Sequence, residues 1–263
     1  MKYKAVILDI DGTLVYSKSK LPGAAVLQAI QRLQQAGVLV IVATGRSFFV
    51  ADEHVLGFRA DYTVCTNGAY VVDATGKHFY DERLTLDQTL RIIRLCEQYD
   101  CPLGFAFSDA NYAYRHYAWY AQKYVELVGE LEYMMDGESG DRHLKDLPYT
   151  AFAYVPEDKM RRFCAENQDL TATVYAPQMY DIFRSDLHKA RGIQRLLERI
   201  GLRPQEVAAI GDGENDREMI EFAGCGIAMG NAPEPLRQAA DWVTGTVQED
   251  GAAQAIHWLL DQN

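Results

Sequence analysis

The chain has 263 residues, 48% of them apolar and 24% charged, with a formal net charge of −11 and a pI near 5.0. This is the composition of a folded globular protein, and the length exceeds one usual domain, so two domains are expected. The acidic balance and the lack of a basic stripe argue against nucleic acid as a partner, and no stretch approaches the roughly 18 apolar residues of a membrane helix.

Small anionic substrates stay compatible with this charge if a metal or a local lysine offsets the field. The start MKYKAVILDID holds a short apolar stretch before acid intervenes, too short for a signal peptide. The cysteines (Cys65, Cys96, Cys101, Cys164 and Cys225) are scattered and form no CxxC pair. They read as reduced, mostly buried thiols of a cytoplasmic protein.

In chain order, the pattern predicts a strand at 4–8, a helix over 22–35 closed by Gly37, and a second strand at 38–43. The stretch VLVIVA is apolar without alternation, as in a parallel strand covered on both faces. A helix over 48–56 and a third strand over 62–72 follow. Near the other end come a strand at 207–210, a glycine-rich turn, a helix over 217–222, a short strand CGIAM and a last helix over 252–260. Between these halves the character changes: eleven of the sixteen tyrosines fall within 84–183, among short strands such as GFAFSD, YTAFAYV and TATVYAP. The expected architecture is a Rossmann-like, doubly wound parallel α/β sheet built from 1–83 and 184–263, with 84–183 as an inserted α+β cap.

Sheets of this kind bind ligands at the carboxyl ends of their strands, and the chemically suggestive residues fall there. The stretch AVILDIDGTL carries an apolar strand straight into Asp9 and Asp11, alternate residues able to reach one ligand. Burying even one carboxylate is costly. Taken alone, such a DxDG is as readily a turn or cap. A calcium-binding EF-hand loop fails, because Leu14 and Lys20 stand where its glycine and glutamate belong.

In GDGEND, Asp212 ends a strand, and Asn215 and Asp216 follow in the turn. Acids on two strand tips suggest a hard-cation site, whereas Asp216 alone also suits a helix N-terminus. The third glycine of a dinucleotide fingerprint is replaced by Asp216. In ATGR, the Thr44 hydroxyl and the Gly45 and Arg46 amides can face an anion, or simply make a turn. Lys189 opens a helix, where a cation is unfavourable unless an anion sits beside it, although most surface lysines are merely solvated.

Together, DIDGTL, ATGR, TNGA, Lys189 and GDGEND resemble the haloacid dehalogenase superfamily, and within it the Cof-type phosphatases with a large inserted cap. The family lysine is usually followed directly by glycine; here Ala190 and Arg191 precede Gly192. The resemblance implies a Mg²⁺-dependent hydrolysis of small phosphorylated metabolites through an aspartyl-phosphate. It makes Asp9 the nucleophile and Asp11 the general acid and base. Mg²⁺ is held by the Asp9 carboxylate, the Asp11 carbonyl and Asp212. Thr44, Lys189 and Asn215, with amides near Ile10 and Gly45, hold the phosphoryl oxygens, while Asp216 orients Lys189 or the metal waters. A phosphomutase or phosphotransferase would use the same intermediate, and a non-catalytic phosphoaspartate module is the remaining alternative. The partner is then a small phosphorylated metabolite such as a sugar phosphate, pyridoxal phosphate or a flavin mononucleotide-like ester, met by a monomer or weak homo-oligomer. The aromatic run NYAYRHYAWYAQKY (111–124) suits a packed sheet and helix face better than a stacking wall, with Arg115 and His116 as candidate contacts.

Overall fold

A computed structural model describes residues 2–16, 21–128 and 133–262. The chain forms two compact units, one from residues 1–81 and 188–263, the other from 82–187.

The first unit opens with β1 (Ala5–Leu8), α1 (Ala24–Gln35) and β2 (Leu39–Ala43). All four residues of β1 are buried, and they divide between two cores: Val6 and Leu8 enter one cluster, Ala5 and Ile7 the other. Strand side chains alternate between faces, so an unbroken apolar run is what a strand with helices on both sides requires. On α1, Val26, Ala29, Ile30 and Leu33 form the buried stripe at helical spacing.

After β2 the structure departs from expectation. The helix predicted over 48–56 is split into a 3₁₀ turn, Phe48–Val50, and a short α2, Glu53–Leu56. Two aromatic residues and a valine are weak helix formers. The Asp52 carboxylate also accepts the amide of His54 at 3.0 Å, which restarts the chain instead of continuing it. The strand predicted over 62–72 is likewise two strands, β3 (Tyr62–Cys65) and β4 (Tyr70–Asp73), antiparallel to each other and followed by β5 (His78–Asp81). Thr66, Asn67 and Gly68 between them have φ of +50°, +51° and +94°, a left-handed run that reverses the chain.

The second unit contains α3 (Leu86–Gln98), β6 (Leu103–Ala106), β7 (Asn111–Arg115), α4 (Tyr117–Val128), β8 (Met134–Asp136), β9 (Thr150–Tyr154), α5 (Glu157–Glu166), β10 (Leu170–Ala176) and β11 (Met179–Arg184). Its sheet runs β10-β11-β9-β6-β7-β8 and is antiparallel except for the β7–β8 pair. Ile92 and Leu95 of α3 and Met160 and Phe163 of α5 pack with Phe105, Ala151 and Ile182 of the sheet. The aromatic run is packed structure: Tyr114 meets Phe105 at 4.8 Å and Tyr120 meets Phe152 at 5.1 Å between ring centroids. The Tyr124 side chain lies outside the described residues. Arg115 and His116 both turn to Asp100, at 2.7 and 3.1 Å, so a contact within this unit occupies them.

The chain then returns to the first unit with α6 (Lys189–Ile200), β12 (Val207–Gly211), α7 (Arg217–Phe222), β13 (Cys225–Ala228), α8 (Glu234–Ala239), β14 (Trp242–Val243) and α9 (Gly251–Asp261). The sheet order is β14-β13-β12-β1-β2-β3-β4-β5. Every pairing from β14 to β3 is parallel. This is a Rossmann-like, doubly wound core with an inserted α+β cap. The chain moves outward in one direction from β1 through β2 and in the other from β12 through β13. The strand tips at that reversal are where sheets of this kind take up ligands.

Candidate active site

β1 lies between β12 and β2, with Leu8 in register with Ile210 and Val42. Three tips separated widely in sequence are thereby neighbours, and each is followed at once by a polar residue: Asp9, Asp212 and Thr44. The Asp9 amide continues the ladder to the Ile210 carbonyl at 3.0 Å, which holds its side chain at the edge of the core.

Lys189 stands at the first position of α6, as its sequence suggests, but it is not solvated; it is 1% exposed. Its ammonium lies 2.5 Å from Asp9 Oδ1 and 2.6 Å from Asp216 Oδ1. The other Asp216 oxygen accepts the amides of Asp212 and Gly213, each at 2.9 Å. Asp216 thus ties the lysine to the turn after β12 and is itself fully buried. The two-residue spacer before Gly192 does not disturb this. Gly192 serves α6 by approaching the left-handed turn closely, since a Cβ on it would come within 2.8 Å of the Gly68 Cα.

Asp212 accepts the Thr13 hydroxyl at 3.1 Å on one oxygen and the Asn231 side-chain amide at 3.0 Å on the other. Asn231 also donates to the Gly12 carbonyl at 3.0 Å and accepts the Val247 amide at 2.9 Å. Gly12, with φ +84°, leaves the room that Asp212 occupies, because a Cβ there would overlap its carboxylate. Gly12→Ala is expected to cost about 1–3 kcal/mol through backbone strain and to displace Asp212. Thermal melting together with turnover checks this, and a variant with native values in both would contradict it.

The remaining expected residues fall into two groups. Thr44 is buried, and its hydroxyl accepts the Arg46 amide at 3.0 Å; Asn67, from the left-handed turn, accepts the side-chain amide of Asn215 at 3.0 Å and stands beside Gly45. Asp11 stands outside the buried ion-pair network: its side chain is 59% exposed and gripped by Arg46, at 2.9 and 2.6 Å. The Ile10 side chain is core, and its carbonyl accepts the amides of Thr13, Leu14 and Val15, closing the turn.

Three carboxylates around one ammonium leave the cluster short of positive charge. Burial pushes Asp9 up to about 8, with the negative charge of Asp216 adding to it and Lys189 opposing. Asp212 is raised to about 6, again mainly by burial and then by Asp216. Burial works against the Lys189 ammonium, but Asp216 and Asp9 outweigh it and raise the lysine. Carboxylate oxygens of Asp9, Asp212 and Asp216 come within 4.8 Å of one another. An all-oxygen set with surplus negative charge fits a hard divalent cation. Asp216 is the least available of the three, its oxygens being taken by Lys189 and two amides, which leaves Asp9 and Asp212 as the carboxylates with a free oxygen or exposed edge to offer a cation.

Sequence reasoning overlooked the side chains of Thr13, Arg46, Asn67 and Asn231. The first three lie inside the motifs DIDGTL, ATGR and TNGA, so their signal was present. Asn231 carries none, because its approach to Asp212 follows from β13 lying beside β12.

The pattern of the haloacid dehalogenase-like hydrolases matches residues 6–256. The chain belongs to that family. It is a phosphoric monoester hydrolase of the Cof type. The 5-amino-6-(5-phospho-D-ribitylamino)uracil phosphatase YitU of Bacillus subtilis (strain 168) is similar to this hydrolase, 28% identical over 269 residues and 95% of each chain. Phosphatase YwpJ of the same organism is 26% identical over 287 residues, covering 98% of this chain and 100% of the relative. The crystal structure of a hypothetical protein from Geobacillus kaustophilus HTA426 superposes with a TM-score of 0.87 at 27% identity, covering 98% of this hydrolase and 99% of that chain.

Proposed function

We propose that this hydrolase is a Mg²⁺-dependent phosphatase of small cytoplasmic metabolites that works through a phosphorylated Asp9. The observation that carries the reading is Lys189, buried at a helix start and clamped between Asp9 and Asp216. A lysine kept at such cost beside a surplus of carboxylates suits a site that must take in a phosphate dianion.

In the first half-reaction an Asp9 oxygen attacks phosphorus, the bond to the leaving alkoxide breaks, and Asp11 gives that oxygen its proton. In the second, Asp11 takes a proton from water as it attacks phosphorus, and the Asp9–phosphorus bond breaks to release inorganic phosphate. Lys189 and Thr44 hold phosphoryl oxygens, with the Ile10 and Gly45 amides and Asn215 around them. Asp216 fixes Lys189. Asp9, Asp212 and the Asp11 carbonyl would hold a Mg²⁺ ion, which would supply the charge that lets carboxylate and phosphate meet.

Choice of leaving group is assigned to the inserted unit. Sugar phosphates, pyridoxal phosphate and flavin mononucleotide-like esters are the candidates. The activity in the name of YitU favours testing ribityl phosphates first. The enzyme is taken to act as a monomer or weak homo-oligomer. A screen of phosphorylated metabolites, with Mg²⁺ and with EDTA, tests the reading. Phosphate release that requires Mg²⁺ is the expected result, and release undiminished by EDTA would refute the metal requirement.

A further inference from the structure

We infer that Arg46 is a positioning residue for the Asp11 carboxylate, an assignment that rests on the acid–base role proposed above for Asp11. Both carboxylate oxygens meet the guanidinium edge-on, Oδ2 with Nε at 2.9 Å and Oδ1 with Nη2 at 2.6 Å. The arginine itself is anchored from behind. Its Nη1 donates to the Val50 carbonyl at 3.2 Å, its amide donates to Thr44 Oγ1 at 3.0 Å, and its carbonyl accepts the Thr66 amide at 2.9 Å.

The two partners differ in freedom. The Arg46 side chain is 27% exposed and the Asp11 side chain 59%. Without the clamp, a short carboxylate on a turn at the protein surface would sample several rotamers. An acid–base group must first be within reach of the proton it moves, and a misplacement of about 1 Å costs on the order of 100-fold in rate. The planar fork sets the carboxylate plane as well as its position, which a lysine cannot do. Two of the roughly four lone-pair sites of the carboxylate stay available for a leaving oxygen or a water. The fork therefore orients Asp11 and leaves those sites open.

The test is a double-mutant cycle of Asp11→Asn and Arg46→Lys on the Mg²⁺-loaded full chain. It is assayed with ribose 5-phosphate, a poor leaving group, and p-nitrophenyl phosphate, a good one. Arg46→Lys is expected to lower kcat on ribose 5-phosphate by roughly 10–100-fold with KM nearly unchanged, and to cost less on p-nitrophenyl phosphate, which needs little protonation. In the Asp11→Asn background the same substitution should cost less than about 2-fold, the limit of ordinary additivity. An equal cost in both backgrounds, or a raised KM with native kcat, would show that Arg46 acts on something other than Asp11. Arg46→Gln is run in parallel, so that the cycle stands on the variant that melts like the native protein. Native turnover in Asp11→Asn would remove the acid–base reading itself. An impaired Asp11→Asn with additive Arg46 effects would remove only the present assignment.

Discussion

Replacing Asp9 by asparagine is expected to end phosphate release, by about 10⁴-fold or more as for other lost nucleophiles, and to leave the metal-free fold as stable as before or more so. The amide cannot form the phosphoryl bond, yet it nearly matches the carboxylate in volume and can still meet Lys189. The stability half of the expectation follows from charge. Asp9 is raised from 3.8 to about 8 in the folded chain, chiefly by burial. A carboxyl raised on folding binds more protons folded than unfolded between those values. Its contribution is therefore full below pH 3.8 and is lost as pH rises through about 8. Asp212 acts in the same direction, its loss completed near pH 6.

Melting in EDTA should consequently show the native protein losing stability between pH 5 and 8, with a shallower loss in Asp9→Asn. Added Mg²⁺ should restore the native protein most at the upper end, where the ligands are ionised. A native protein whose metal-free stability is flat across that range, or an Asp9→Asn variant with native turnover, would contradict this account.

Lys189→Met carries the largest expected structural cost. The lysine is 1% exposed and is the ammonium bound by Asp9 and Asp216, which are themselves 4% and 0% exposed. Methionine fills much of the same space but leaves two buried carboxylates facing each other. Removing one member of a buried ion pair costs about 3–5 kcal/mol, because the charge left behind has no partner. The loss should shrink as pH falls below about 8, where protonation of Asp9 relieves the repulsion, and turnover should be negligible at any pH. Denaturant unfolding of the native and variant chains at pH 5 and 8 measures both. An equal loss at the two pH values would mean that packing, not charge, sets the cost. Asp9→Asn and Lys189→Met together should recover part of the stability lost in the single lysine variant, since these residues touch and their effects are not additive.

The arrangement places charge strain where chemistry is proposed, as functional sites commonly do. Lys189 at a helix start was conspicuous in sequence because the position is wrong for a solvated cation. The structure gives the reason, a pair of buried carboxylates. Asp11 shows the opposite case. Its spacing from Asp9 suggests a shared target, but the Arg46 contact that sets its side chain is announced by no local pattern.

Local sequence determined the parallel strands, through apolar runs that must be covered on both faces. It also determined the polar residues that end them, because an acid cannot continue into the core. It misjudged 48–56 and 62–72, where one carboxylate–amide bond and three left-handed residues outweighed apolar content. What only the tertiary structure decided was which strand tips meet. Pairing register sets β1 between β2 and β12 and so brings Asp9, Thr44 and Asp212 together, while the order of the sheet delivers Asn231 and the anchored turn delivers Arg46. Those contacts join residues as many as 219 positions apart, a distance over which no helical or strand periodicity carries information.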